Sequence, residues 1–388
     1  MIKIYALLSS LLLPMAAAAQ TYNNNIAQVV AEVNQTRMTE NLQAFENLGV
    51  KSKGTAAQEN TYQWLVAKYT SFGYGANAIS TQTYSYSNTS SKNLIVDKIG
   101  ALYPDEFVIV CGHFDTVVGT GTNDNGSGVT TILEIAKAIK NIPTAYSVKF
   151  INFSGEEDGL YGSSAFVNQV VNGTQPKMKI RLVLNIDEVG GVKNMSNTKV
   201  KCERDLSSPT ANNARSNEFT LELMNCVRLY SSLTPELSNA YSSDYMPFQG
   251  NGEVITGLFE SNESSTPHTA RDLLVNMDPA YTFQIAKAAT AATLHFAQAY
   301  TGELNRTNFV EDPLQLAPNP SKDQLHINWD ALKIQTGVCV ISDALGRITS
   351  VQPVQEDDVI DVSKLTSGIY HLTLTNEYKS FKSTFIKN

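Results

Sequence analysis

Between residues 93 and 259 the chain repeats one pattern: a short apolar run that ends in glycine, an acid or histidine. NLIVD at 93–97, FVIVC at 107–111, SVKFINF at 147–153, IRLVLNI at 180–186 and VITGLF at 254–259 are rich in β-branched residues and read as strands. Amphipathic stretches lie before and between them, at 26–48, 56–72, 126–140, from 160, at 217–230 and at 279–300. Strands separated by helices predict an α/β domain with a mostly parallel mixed sheet and helices on both faces. After Thr301 the pattern changes. Residues 303–313 are polar and read as a linker. LHINW, GVCVI, DVIDV, GIYHLTLT and FKSTFI then follow as short strands between turn signals, which predicts a small all-β sandwich over 314–388.

The first residues carry a different signal. Lys3, an apolar stretch over 4–15 and the small residues Ala16 to Ala19 have the order of a secretory signal peptide, and the apolar stretch is shorter than a membrane span. The expected organisation is a signal peptide at 1–19, a catalytic domain at 20–302, the linker at 303–313 and the sandwich at 314–388. An apolar fraction of 42% is ordinary for a globular protein. A net charge of -8 with no basic cluster argues against a nucleic-acid partner. Of the four cysteines, Cys111 and Cys339 fall in strands as core thiols, while Cys202 and Cys226 are candidates for a bridge in an oxidising compartment.

Candidate chemistry collects at the strand ends, where open α/β sheets place their ligands. His113 and Asp115 follow the second run in GHFDT, a spacing that suits a metal-binding imidazole and the carboxylate that fixes its tautomer. Asp124 in NDNGSG stands before a helix, where it either caps the helix or bridges cations. Glu156 and Glu157 end the third run, and like charges placed together call for a cation between them. Asp187 closes the fourth run. Glu188 is expected to point the other way by strand alternation. His268 lies in the loop after the fifth run, and the other three of the five histidines have structural explanations. His113, Asp124, Glu157, Asp187 and His268 form a nitrogen–oxygen set without thiolate, suited to zinc. Five ligands exceed the needs of one catalytic zinc, so a two-ion site with a shared aspartate is expected. Glu156 is left over to carry protons for a metal-activated water.

GHFDT, NDNGSG, GEEDGLYGS, NIDEVGG, SSDYMPF and PHTARD, in this order over residues 24–302, resemble the co-catalytic zinc aminopeptidases of the bacterial leucyl aminopeptidase type. That group also contains glutamate carboxypeptidases and glutaminyl cyclases. The resemblance implies zinc, two ions per chain, held by the five residues named, with Asp124 shared. Which ligands pair on each ion is not legible. It further implies Glu156 as acid and base, Asp115 as partner of His113, a cis peptide after Asp124, and peptide substrates cut at the N-terminus. A tyrosine that holds the scissile carbonyl is implied near SSDYMPF, either Tyr241 or Tyr245, the latter standing where relatives commonly carry histidine. A glutaminyl cyclase, a carboxypeptidase or dipeptidase, and a non-catalytic binding protein are the alternatives. In the tail, LAPNPSKDQLHI, SDALGR, LTSGIYHLTL and FKSTFIKN resemble the C-terminal sorting domain of type IX secretion in Bacteroidetes. This implies export through the periplasm to the cell surface or medium, with the secretion machinery as partner. Trp329 alone gives the sandwich no aromatic platform for carbohydrate.

Overall fold

The computed structural model describes residues 21–299, 314–329, 332, 335–344, 347–375 and 380–388. The expected signal peptide and linker lie outside the described residues. Three helices lead in: α1 (Asn24–Val30), α2 (Gln35–Asn47) and α3 (Ala56–Ser71). A single helix was expected over 26–48. The chain breaks it because Asn34 starts a new helix, its side chain accepting the Arg37 amide, as Asn23 does for the Asn25 and Ile26 amides at the start of α1.

There follow β1 (Ile79–Tyr86), β2 (Thr89–Lys98), β3 (Tyr103–His113), α4 (Gly126–Ile139), β4 (Tyr146–Phe153) and α5 (Tyr161–Phe166), which runs on as a π-helical turn over Val167–Val171. Next come β5 (Lys179–Ile186), β6 (Lys199–Arg204), α6 (Asn213–Tyr230), β7 (Thr234–Asn239), α7 (Met246–Gly250), β8 (Ile255–Glu260) and α8 (Pro279–Phe296). The eight strands form one sheet in the order β1-β2-β4-β3-β5-β8-β6-β7. Its centre, β4-β3-β5-β8, is parallel, whereas β1, β2 and β6 join antiparallel and β7 runs parallel to β6.

Period-two alternation divides the core between the two faces. Val108 and Val110 of β3 meet Leu133 of α4, Leu223 of α6 and Ile285 of α8 on one side. Ile109 and Cys111 meet Phe166 of α5 and Phe248 of α7 on the other. All four cysteines are buried thiols, so Cys202 on β6 and Cys226 on α6 make no bridge.

The tail holds a three-stranded and a four-stranded sheet. The first contains β9 (Leu316–Ala317), β10 (Gln324–Ile327) and β13 (Val359–Asp361), in the order β13-β10-β9. The second contains β11 (Thr336–Asp343), β12 (Ile348–Gln355), β14 (Gly368–Thr375) and β15 (Ser380–Lys387), in the order β12-β11-β14-β15. All their strand pairs are antiparallel. Leu325, Ile341, Leu372, Leu374 and Phe385 form a core separate from that of the large sheet.

Candidate metal centre

The central strands end together, and the residues just beyond them converge. His113 is the last residue of β3, Glu156 and Glu157 follow β4, and Asp187 follows β5. Asp124 arrives on the loop between β3 and α4, and His268 on the loop after β8. The two oxygens of Asp124 face different partners. Oδ1 lies 3.2 Å from His113 Nε2, which is itself 3.4 Å from Asp187 Oδ1. Oδ2 lies 3.1 Å from His268 Nε2, which is 2.7 Å from Glu157 Oε2. Glu156 falls on the His113 side, its Oε2 3.9 Å from Nε2. The adjacent glutamates therefore face opposite halves of one site. His113, Asp124 and Glu157 also offer three ligand atoms within 4.8 Å of one another.

Each side chain is held from behind. Asp115 accepts the Glu156 amide on Oδ1 and the Glu157 amide on Oδ2, at 3.2 and 3.3 Å. It was expected to orient His113 with its carboxylate, but that oxygen is 3.8 Å from Nδ1, and the backbone carbonyl of Asp115 is closer at 3.2 Å. Tyr84 donates to the Ser154 carbonyl and Tyr86 to Asp158, gripping the glutamate turn from β1. Gly155 takes a positive φ of 69°, and a Cβ there would meet both tyrosine hydroxyls at 3.0 and 3.1 Å, so glycine is required. Asp187 Oδ2 accepts from Ser243, which is held in turn by Asn185. The carboxylate of Asp272 accepts the Asn123 and Asp124 amides. The Asp124–Asn125 peptide is cis. Asn125 provides the cap of α4, its Oδ1 accepting the Gly128 amide, which leaves the Asp124 carboxylate to the site.

Electrostatics fit a cation. Burial, then Asp244, Asp187 and Asp115, push Glu156 up to about 9. Burial, then Asp124, push Glu157 up to about 8. Burial opposes a charge on His113, yet Asp187, Glu156 and Asp124 together hold its imidazole well above the ordinary range. For Asp124 burial also favours the neutral acid, but hydrogen bonds from His113 and His268 outweigh it and keep the carboxylate ionised. Asp187 Oδ1 is buried with no hydrogen-bond partner. Carboxylates that raise one another around two imidazoles, with an orphaned oxygen among them, match the hard, mixed donor set of a divalent ion such as zinc.

Three acids near the site were not expected. Asp244 is fully buried and pushed up to about 7, chiefly by burial; its influence reaches Glu156. Asp272 stands at the end of the PHTARD motif, where only its position marked it. Glu188 was expected to face away. Its φ of 43° ends the alternation of β5, and the side chain lies under the influence of Asp124, Asp187 and Glu260. Of the two tyrosines, Tyr245 is fully buried and donates to Glu203, while Tyr241 is 51% exposed.

An open α/β sheet with a carboxylate-rich, two-histidine site at the ends of its parallel strands is the frame of a metal-dependent hydrolase. The profile of Peptidase family M28 matches residues 93–293, more than half of the chain, and the chain belongs to that family. The profile of the Secretion system C-terminal sorting domain matches residues 315–388, which points to a secreted or cell-surface protein. Among the described residues no helix is long and apolar enough to cross a membrane. Aminopeptidase YwaD of Bacillus subtilis (strain 168) is 34% identical over 108 residues, 27% of this chain and 23% of that protein. Leupeptin-inactivating enzyme 1 of Streptomyces exfoliatus is 31% identical over 180 residues, 45% of this chain and 39% of that protein. The chain thus spans less than half the length of these curated relatives. The solved LapA aminopeptidase of Legionella pneumophila superposes with a TM-score of 0.61 at 20% identity, over 72% of this chain and 77% of that one. A glutaminyl cyclase from Macrostomum lignano superposes with a TM-score of 0.62 at 15% identity, over 73% and 96%. At these identities the likeness is one of fold.

Proposed function

We propose that the protein is an exported, zinc-dependent aminopeptidase that hydrolyses the N-terminal bond of peptides. The observation that carries this reading is the division at Asp124, with His113 and Asp187 about one oxygen and Glu157 and His268 about the other. The shorter contacts run across both oxygens, which favours two zinc ions sharing Asp124 over one ion held by His113, Asp124 and Glu157 alone. Bound zinc supplies Lewis acidity, polarising a carbonyl and lowering the pKa of water. Glu156 takes the proton from the attacking water and returns it to the leaving amine, a role for which it stands on the His113 side of the site, 3.9 Å from Nε2. Asp115 holds the turn so that Glu156 and Glu157 point to different halves. Tyr241, with its ring at the surface, is the tyrosine free to meet the scissile carbonyl, because the Tyr245 hydroxyl is committed to Glu203. The signal peptide at 1–19 and the sorting domain at 314–388 take the chain through the periplasm to the outside.

The test is a panel of fluorogenic peptides with free or acetylated N-termini, run with a chelator and then with added zinc. Cleavage confined to free N-termini, lost to the chelator and restored by zinc, is expected. Cleavage of blocked peptides, or cyclisation of N-terminal glutamine in place of hydrolysis, would overturn the reading.

A further inference from the structure

A cavity of about 370 Å³ lies between the first turn of α3 and the β1–β2 hairpin. Its size falls in the range of about 300 to 1,000 Å³ that small-molecule sites occupy. None of the residues lining it is a proposed metal ligand or proton carrier. Gln58, from α3, lines it and is 8% exposed. The Gln58 Oε1 accepts the Gly54 amide at 3.0 Å, while Nε2 is buried with no hydrogen-bond partner in the protein. Two amide protons on the cavity wall thus lack an acceptor, a condition that native interiors rarely leave unanswered. Thr83 of β1 and Ser90 of β2 line the cavity where it meets solvent, and their hydroxyls make no hydrogen bond among the described residues. The two charged groups of the lining, Glu59 and Lys92, are paired with each other at 2.7 Å. The lining therefore carries no net charge. Phe114 and Tyr62 supply its aromatic part.

Each property narrows the ligand. An anion would meet the Glu59 carboxylate with the one cation already engaged, and a cation would meet Lys92 with the one anion engaged. A wholly apolar ligand would seal off the Gln58 protons without an acceptor. An uncharged ring bearing several hydroxyls answers all of the free groups. Its oxygens accept from Gln58 Nε2, its hydroxyls exchange hydrogen bonds with Thr83 and Ser90, and its C–H face lies against the aromatic part. We infer that this cavity binds a single pyranose sugar unit. The inference stands apart from the aminopeptidase reading and holds whether or not zinc is bound.

The experiment is saturation-transfer NMR on the full chain with glucose, galactose, mannose and N-acetylglucosamine, with acetate as a charged control. Saturable transfer to at least one pyranose and none to acetate is expected. Gln58→Glu keeps an acceptor for the Gly54 amide and removes the Nε2 protons, so it should weaken sugar binding by roughly tenfold. Thr83→Val, at an exposed strand position, should weaken it by about threefold without disturbing α3. Urea unfolding of each variant reports separately on folding, and Thr83→Val decides alone if Gln58→Glu does not fold. No saturable transfer to any pyranose overturns the inference. So does undiminished binding in the folded variants, which would put the sugar elsewhere. Transfer to acetate that the sugars fail to displace would mark an anion site and overturn it as well.

Discussion

The two halves of the centre are built differently. His113 and Asp187 follow directly from adjacent parallel strands, β3 and β5, and His113 is 1% exposed. Glu157 and His268 stand on a turn and a loop, and His268 is 61% exposed with a positive φ of 56°. A strand end fixes a side chain through the ladder beneath it, whereas a loop fixes one only through its own contacts. The comparison teaches that a shared carboxylate can join a rigid half-site to a compliant one. The adjacent glutamates divide the same way, with Glu156 toward the rigid half and Glu157 toward the compliant half.

The largest effect should come from Glu156→Gln. It removes the proposed proton carrier from the rigid half while leaving every proposed ligand in place, so kcat should fall by about 10² to 10⁴ with zinc content unchanged. Turnover near wild type would end the assignment. Next, the halves should part under metal stripping. On the two-ion reading, His268→Ala should retain the ion proposed at His113 and Asp187 and lose the other to a chelator at lower concentration than the wild type does. His113→Ala should lower zinc content further, because Asp187 then has no imidazole beside it and Asp124 keeps only that of His268. Equal zinc loss in the two variants, measured by atomic absorption, would erase the distinction between the halves.

How much of this was legible in the sequence also follows the rigid–compliant divide. Runs such as FVIVC and SVKFINF announce buried strands because both faces of the central sheet are covered, and the residues at their ends could be named from position alone. β1, β6 and β7 carry no such signal: ISTQTYSY, KVKCER and TPELSN are short or polar, and β1 and β7 form the sheet edges, where one side meets no partner. In the tail β12 is hidden for a related reason, since Pro353 interrupts its pattern and is tolerated only at the edge. For Glu188 alternation is no guide, because it holds only while the strand continues, and β5 ends at Ile186. The pairing about Asp124 and the grip of Asp272 depend on loops meeting across more than a hundred residues, which no local period records.

A smaller effect should come from Tyr86→Phe, which loosens the glutamate turn without touching the site. The lost hydrogen bond to Asp158 is worth about 1 kcal/mol at a surface carboxylate, so kcat should drop about fivefold with KM nearly constant. A change in KM alone would mean that the turn serves binding and not the placement of Glu156.

The smallest effect concerns Lys51, which braces the loop that carries Asp124. It is fully buried, donates to the Gly49 and Thr120 carbonyls and sits 3.8 Å from the centre of the Phe45 ring. Burial pulls its pKa down from 10.5 to about 7, with Asp272 and Glu46 only partly opposing the shift. Between these two values the unfolded chain keeps the proton and the folded chain has released it. Stability should therefore rise with pH across this window, and below about pH 7 the fold bears the full cost of a buried ammonium. Lys51→Met should flatten that slope in urea unfolding at pH 6.5 to 9.5, while zinc content stays constant. An unchanged slope would show that the loop bearing the shared carboxylate does not depend on a buried cation, and the rigid half would then owe its rigidity to the strands alone.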